Sequence, residues 1–332
     1  VSTVVTITGC GLAELTCAWL LAGRGHRVRQ EADAPAAGAR PLLLTGPTLD
    51  LLRSLWGDGL LGGAHLLRHR KVSWGPGEPS TRFAQPARVV DGAVLVDRMR
   101  ERLAQAVTVS TDPARWVVTA RAPDDPGGQR QVGRRRLLAG TALLRPGVDE
   151  RTALLGTTAL GWLQLTPLGR GDCLVQAMVP GPAEDAAELL ARLLAESELG
   201  CVLRRAPDTA VAVPAAPRLH RTPASPPGEP SPTGRLTVGA GAIRYDPLSG
   251  TGTAQALRTA VLAAAVIDAE AVGTPATALC AHYTVRLHTA FVQHLRACSE
   301  LYGTAFTSAL WADELDTARL GFRTPGLPVA VV

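Results

Sequence analysis

The chain has 332 residues, 46% hydrophobic and 19% charged, so a sizeable buried core is available and a disordered, charge-dominated chain is excluded. Its net charge of +5 is carried by arginine, Lys71 being the only lysine, and the one dense basic run, Arg134-Arg135-Arg136 within 130–136, lacks interleaved aromatics and reads as a solvated strand edge, not a nucleic-acid track. Gly, Pro or charge breaks every apolar stretch before the roughly 20 residues of a membrane span, so neither nucleic acid nor membrane is an expected partner.

In chain order, residues 4–8 form a β-branched strand, Gly9 to Gly11 a tight turn, 12–22 an apolar helix and 26–30 a second strand. This opening predicts a parallel sheet whose ligand crevice lies at the carboxyl ends of its strands. The start reads as strand with no basic segment ahead of an apolar one, and a cytoplasmic protein is expected. Residues 47–55 suit a short helix capped by Thr45 or Gly46, and 97–106 a second, followed by a strand at 107–110. A β-meander is expected over 116–144, around the breaker-rich turn 123–128. Residues 160–165 and 173–178 read as antiparallel strands of a second sheet, 183–198 as an amphipathic helix, and the Pro- and Ser-rich 214–232 as a loop. A strand at 235–239 then precedes a long apolar helix at 251–271, and 275–302 supplies one or two more helices. The six cysteines, Cys10, Cys17, Cys173, Cys201, Cys280 and Cys298, lack CxxC or metal-ligand spacing and read as free thiols.

Two glycine loops carry the chemistry. Gly9-Cys10-Gly11-Leu12-Ala13-Glu14 follows a strand and opens a helix, as a dinucleotide loop does. Gly9 permits the turn, Gly11 lets a pyrophosphate near the backbone, and the helix N-terminus offers N–H donors. Glu14 stands where that pattern has Gly or Ala, adding bulk and a negative charge that opposes an anion. Glu31, about 20 residues on, is the candidate for a ribose hydroxyl. The second loop follows Gly239: Arg244-Tyr245-Asp246-Pro247-Leu248-Ser249-Gly250-Thr251-Gly252 opens a long helix whose first amides would face a ligand.

That second run is similar to the GDA…DPLSGxG segment of flavin-dependent hydroxylases and halogenases. It looks most like the branch that modifies tryptophan in partner proteins, the LodB/GoxB-type quinone-cofactor maturation enzymes, and the related tryptophan halogenases. Ser73-Trp74-Gly75 with Glu78 resembles that branch's SxWGSxE segment, Val96-Asp97-Arg98 its LDRxxFD helix, and 283–302 its C-terminal helix; matching pieces run from Val4 to Tyr302. The resemblance implies an α/β fold: an FAD/NAD(P)-binding Rossmann-like domain of the glutathione-reductase type, with an inserted antiparallel-sheet substrate domain and C-terminal helices. FAD-binding segments are expected at 1–75, 96–150 and 233–272, substrate-domain segments at 76–95 and 151–232, and the C-terminal helices at 273–332.

The implied cofactor is FAD, reduced by NAD(P)H or a separate flavin reductase. Its candidate contacts are Gly9, Gly11, Glu31, Arg98, Gly239, Asp246, Pro247, Gly250, Thr251 and Gly252. Lys71, Arg244 and Asp246 are the catalytic candidates, Trp74 and Trp162 the substrate-lining ones, and no metal site is expected. The pattern departs at Ala240, where the family has Asp, and at 138–142, which corresponds to the family's DATG segment without its Asp. Lys71 falls near the halogenase lysine that captures hypohalous acid, but 162–167 match the halogenase WxWxIP segment only at Trp162 and Pro167. His65 and His69 share a face if their segment is helical, while His282, His288 and His294 spread around a helix and suit no metal. The expected function is FAD-dependent, monooxygenase-like oxidation of an aromatic substrate, with free tryptophan or a tryptophan in a partner polypeptide as the implied example. A cofactor-free descendant, acting as a partner-binding scaffold or as a cyclase or isomerase, is the alternative, and a halogenase the lesser one.

Overall fold

The computed structural model describes residues 2–31, 40–105, 112–121, 128–181, 185–220 and 234–323. The opening unit is β1 (Val4–Thr8), α1 (Leu12–Gly23) and β2 (Arg27–Glu31), with β1 and β2 paired in parallel. There follow β3 (Pro41–Thr45), α2 (Gly46–Trp56), β4 (His65–Ser73), β5 (Thr81–Asp91) and α3 (Gly92–Ala104). α3 begins earlier than the pattern suggests because Asp91 caps it, its carboxylate accepting from Ala93 N at 2.7 Å. The middle of the chain holds β6 (Trp116–Thr119), β7 (Gln129–Gln131), β8 (Arg136–Leu143), β9 (Thr152–Thr157), β10 (Trp162–Gly169), β11 (Asp172–Val179) and α4 (Ala186–Ala195). Then come β12 (Val211–Pro214), β13 (Arg218–His220), β14 (Gly234–Thr237), the short α5 (Gly239–Ala242), β15 (Ile243–Arg244), α6 (Gly252–Ala271), α7 (Ala276–Ala305) and α8 (Ala309–Arg323).

Among the described residues the strands form a parallel sheet ordered β14-β6-β1-β2, a large sheet ordered β12-β8-β11-β10-β9-β4-β5-β3, and a small one ordered β15-β13-β7. The large sheet is antiparallel except where β4 joins β9. This is an α/β fold, a Rossmann-like sheet with a second, curled sheet beside it. α1, α6 and α7 bury the parallel sheet, and Ala260, Ala263 and Ala264 let α6 press close on its neighbours. Period-2 alternation splits the large sheet into two faces. On the outer face Leu163, Leu165 and Val175 pack against Leu190, Leu193 and Leu194 of α4. On the inner face Leu155, Trp162 and Met178 pack against Leu248, Tyr302 and Trp311.

Several expectations change. The antiparallel pair at 160–165 and 173–178 forms as β10 and β11, but the meander over 116–144 does not. β6 lies between β1 and β14, parallel to both, because a short apolar run buried on both sides suits the middle of a parallel sheet. The 183–198 helix is shorter, and 275–302 becomes one 30-residue helix, Ala276–Ala305, followed by α8. Part of the 214–232 loop is β13; the strand at 107–110 and most of the 123–128 turn lie outside the described residues. The segment of His65 and His69 is a strand, not a helix. β3 and β4, within 1–75, and β8, within 96–150, belong to the large sheet. Arg135 is buried, which corrects the solvated-edge reading of its run. No described helix is long and apolar enough to cross a membrane.

Candidate functional site

Because β1, β6 and β14 are adjacent and parallel, their carboxyl ends open on one edge, and there the two glycine loops meet. Gly9 turns the chain at φ +113°, a conformation side chains resist, and its N–H donates to the Glu31 carbonyl at 3.0 Å. A Cβ on Gly241 would lie 2.0 Å from the Ala120 carbonyl oxygen, so only glycine lets the second loop pass the end of β6. Gly239 lies against Ala13 and donates to Thr259 Oγ1 at 2.8 Å. Gly9, Gly11, Glu31 and Gly239 are thus brought together, with the exposed Ala240 beside them. The 138–142 segment lies inside the large sheet as part of β8; the strand end that borders the crevice is Thr119-Ala120.

Glu14 is only 6% exposed, and its Oε1 accepts from Ala120 N at 3.2 Å. Its oxygens lie 2.6 and 2.8 Å from where a Cβ on Gly9 or Gly11 would be, so the carboxylate is folded back over the first loop. A pyrophosphate approaching those glycines would meet a like charge. The pyrophosphate end of FAD would fit these glycines once the Glu14 side chain turns aside, since only its flexible end stands over them.

The second loop is anchored from below. Asp246, 1% exposed, accepts at Oδ1 from Leu248 N and from Tyr302 Oη, both at 2.9 Å. Tyr302 Oη in turn accepts from Trp162 Nε1 at 2.8 Å. Arg135 Nε lies 3.4 Å from Asp246 and 3.5 Å from Glu314. Burial alone would lower the Arg135 pKa, but Asp246 and Glu314 outweigh it and raise the value. Burial pushes the Glu314 carboxyl up, the Tyr302 phenol well up and His294 down to about 4. The neutral His294 ring accepts from Asp246 N at 2.8 Å. Trp74 Nε1 donates to Leu301 O and Thr304 Oγ1 on α7, both at 3.1 Å. Asp246, Trp74 and Trp162 therefore fix the loop, sheet and α7 to one another; Asp246 is no free base, and Trp162, 1% exposed, lines no open cavity.

Above this anchor the loop is open. Gly250 and Gly252 are exposed, and Thr251 shares its hydroxyl with Ser249 at 2.9 Å, leaving the 20-residue α6 without a side-chain cap. Its free amides present a partial positive charge that suits the ring end of a flavin. Arg244, just before the loop, donates to the Ala216 carbonyl at 3.1 Å and faces Arg218; burial and that neighbour bring its pKa down to about 10.

Arg98 is not at either loop: its Nη1 donates to Leu60 O and Gly62 O at 2.7 and 2.8 Å, holding the turn after α2. Lys71 pairs with Leu154, which packs on the outer face, while the next pair, Val72 and Leu155, packs on the inner face with Leu248. Lys71 therefore points away from the 246–252 loop, into a cavity of about 810 Å³ lined also by Glu78, Glu198, Cys201 and, from the inner-face cluster, Phe306. His65 bonds the Glu150 carbonyl and His69 lies by Arg82. No three metal-ligating groups cluster among the described residues. Arg135, Tyr302, Glu314, Arg218 and His220 escaped the sequence reading, because what matters in each is a partner more than 20 residues away or the absence of one.

No sequence-family model and no curated protein sequence matches the chain. Solved structures do. A peptidyl tryptophan dihydroxylase, QhpG, essential for tryptophylquinone cofactor biogenesis, superposes with a TM-score of 0.76 at 22% identity, over 96% of this chain and 78% of that one. The flavin-dependent halogenase CmlS gives 0.74 at 18% identity, over 98% and 71%. The 2-methyl-3-hydroxypyridine-5-carboxylic acid oxygenase gives 0.68 at 16% identity, over 96% and 97%. The fold is the one these enzymes share.

Proposed function

We propose that this chain, built on the fold of flavin-dependent monooxygenases and halogenases, is a flavin-dependent, monooxygenase-like oxidoreductase acting on an aromatic group. The observation that carries this reading is the crevice where β1, β6 and β14 end, with the uncapped α6 presented above a rigid anchor. A bound flavin would supply two-electron redox chemistry and the activation of O₂. The chain's share is to offset negative charge on the ring with the α6 amides and to keep water out through the Leu248, Trp162 and Tyr302 packing. Similarity to a peptidyl tryptophan dihydroxylase supports an indole as substrate, free or in a partner polypeptide. The reductant would be NAD(P)H or a separate flavin reductase. A halogenase gains nothing from Lys71, which faces the other side of the sheet.

The Glu14 carboxylate over the first loop favours a second reading, a cofactor-free descendant whose crevice serves partner binding or a cyclase- or isomerase-like reaction. Titration of FAD into the wild type, Ala240→Asp, Glu14→Ala and the double variant, followed by flavin fluorescence and thermal unfolding, separates the two. The double variant is expected to bind FAD at least tenfold more tightly than the wild type, about 1.4 kcal/mol. If FAD neither binds nor stabilises any of the four proteins, the oxidoreductase reading fails and the second stands.

A further inference from the structure

Beside the second loop are two arginines and a histidine with no counterion among the described residues. Arg218 of β13 and Arg244 of β15 sit directly opposite each other in antiparallel register. The next pair, Leu219 and Ile243, turns into the main core, so Arg218, Arg244 and His220 share the other face. Like charges facing across a strand pair destabilise it. Neither guanidinium meets a carboxylate among the described residues; Arg244 is held only by the Ala216 carbonyl, through Nε and Nη2. The Arg218 Nε is sealed from solvent without a hydrogen-bond partner. His220 is 4% exposed, and its Nε2 is likewise unpartnered. Burial, then the two arginines, push the His220 pKa down, as expected where cations gather without an anion. Buried polar groups left unpaired in this way call for a ligand or another compensating role. β15 runs directly into the 246–252 loop, which sets Arg244 two residues before Asp246.

We infer that Arg218, Arg244 and His220 form an oxyanion-binding site that takes the carboxylate or phosphate group of the crevice's ligand. Guanidinium forks match both groups, and the imidazole supplies a further polar contact. The site puts cationic side chains beside the second loop, while the Glu14 carboxylate lies over the first. The inference rests on the crevice being the ligand site, yet it can be tested without any flavin.

The experiment is thermal unfolding of the full chain with inorganic phosphate, FMN, riboflavin, benzoate, or sodium chloride at matched ionic strength. Arg218→Gln and Arg244→Gln are compared with the wild type and with Arg192→Gln on the outer-face helix α4. At least one oxyanion should stabilise the wild type and Arg192→Gln beyond chloride, with affinity at least tenfold weaker in Arg218→Gln and Arg244→Gln. Without anion, those two variants should unfold no lower than the wild type, since each removes one of two facing like charges. Stabilisation by phosphate and FMN but not by benzoate or riboflavin assigns the site to a nucleotide phosphate; stabilisation by benzoate assigns it to a substrate carboxylate. Chloride matching every oxyanion, unchanged affinity in both variants, or anion-free unfolding clearly below the wild type would overturn the inference. Should the variants not fold, the wild-type His220 imidazole NMR signal, identified by its loss in His220→Gln, should shift on adding the stabilising anion; a signal that stays put overturns it too. Absence of FAD binding alongside a positive anion result would sink the flavin reading and leave this site standing.

Discussion

Glu14 occupies the third position of α1, whose N-cap Gly11 has no side chain to offer. An acid there favours the helix, since it lies in the first turn near unpaired amides. The group that supports α1 is thus the one that opposes a pyrophosphate. Glu14→Ala should raise FAD affinity while lowering stability to urea by about 1 kcal/mol; a gain in affinity with a gain in stability would contradict this assignment. His294 offers a second test. Its folded-state pKa is depressed from 6.5 to about 4, so the unfolded chain takes up that proton first as pH falls. Stability is full above about pH 6.5 and declines towards pH 4 by on the order of 3 kcal/mol. His294→Gln, which keeps an acceptor for Asp246 N, should flatten that decline, read as unfolding free energy at pH 7 and pH 5.

At the scale of elements, β10, α7, α8 and the 246–252 loop meet through one buried network. Tyr302 is its hinge point: it accepts from Trp162 and donates to Asp246. Tyr302→Phe deletes both bonds and leaves the indole N–H unpaired, at a cost of about 1–3 kcal/mol in urea denaturation. Arg135→Met should cost more, about 3–5 kcal/mol, because Asp246 and Glu314 would be left buried without their cation. Equal stability of Arg135→Met and wild type would mean that the ionic part of the network contributes nothing net. Little of this was legible beforehand. The Arg134-Arg135-Arg136 run gives the charges but not which one turns inward, and nothing local links Tyr302 to Asp246.

At the scale of the molecule, the large sheet is a partition. The flavin-type loop lies on its inner face and Lys71 on its outer face, in an 810 Å³ cavity that also reaches Phe306. Lys71→Ala should therefore leave FAD affinity unchanged and stability within about 0.5 kcal/mol; loss of flavin binding would place the lysine in the crevice after all.

The sequence alone determined the opening strand–helix–strand, the two glycine loops and the β10–β11 pair. Those follow from residues close together: β-branched runs, glycines at tight turns, apolar periodicity. It also showed Glu14 and Ala240 as departures, since a motif is read locally. Tertiary structure decided that β6 joins the parallel sheet, that Asp246 is an anchor, that Arg218 faces Arg244 and that Lys71 faces away. Each of these depends on which distant strand becomes a neighbour. Period-2 alternation tells which side chains of a strand share a face, but only pairing across the sheet decides which face meets the ligand.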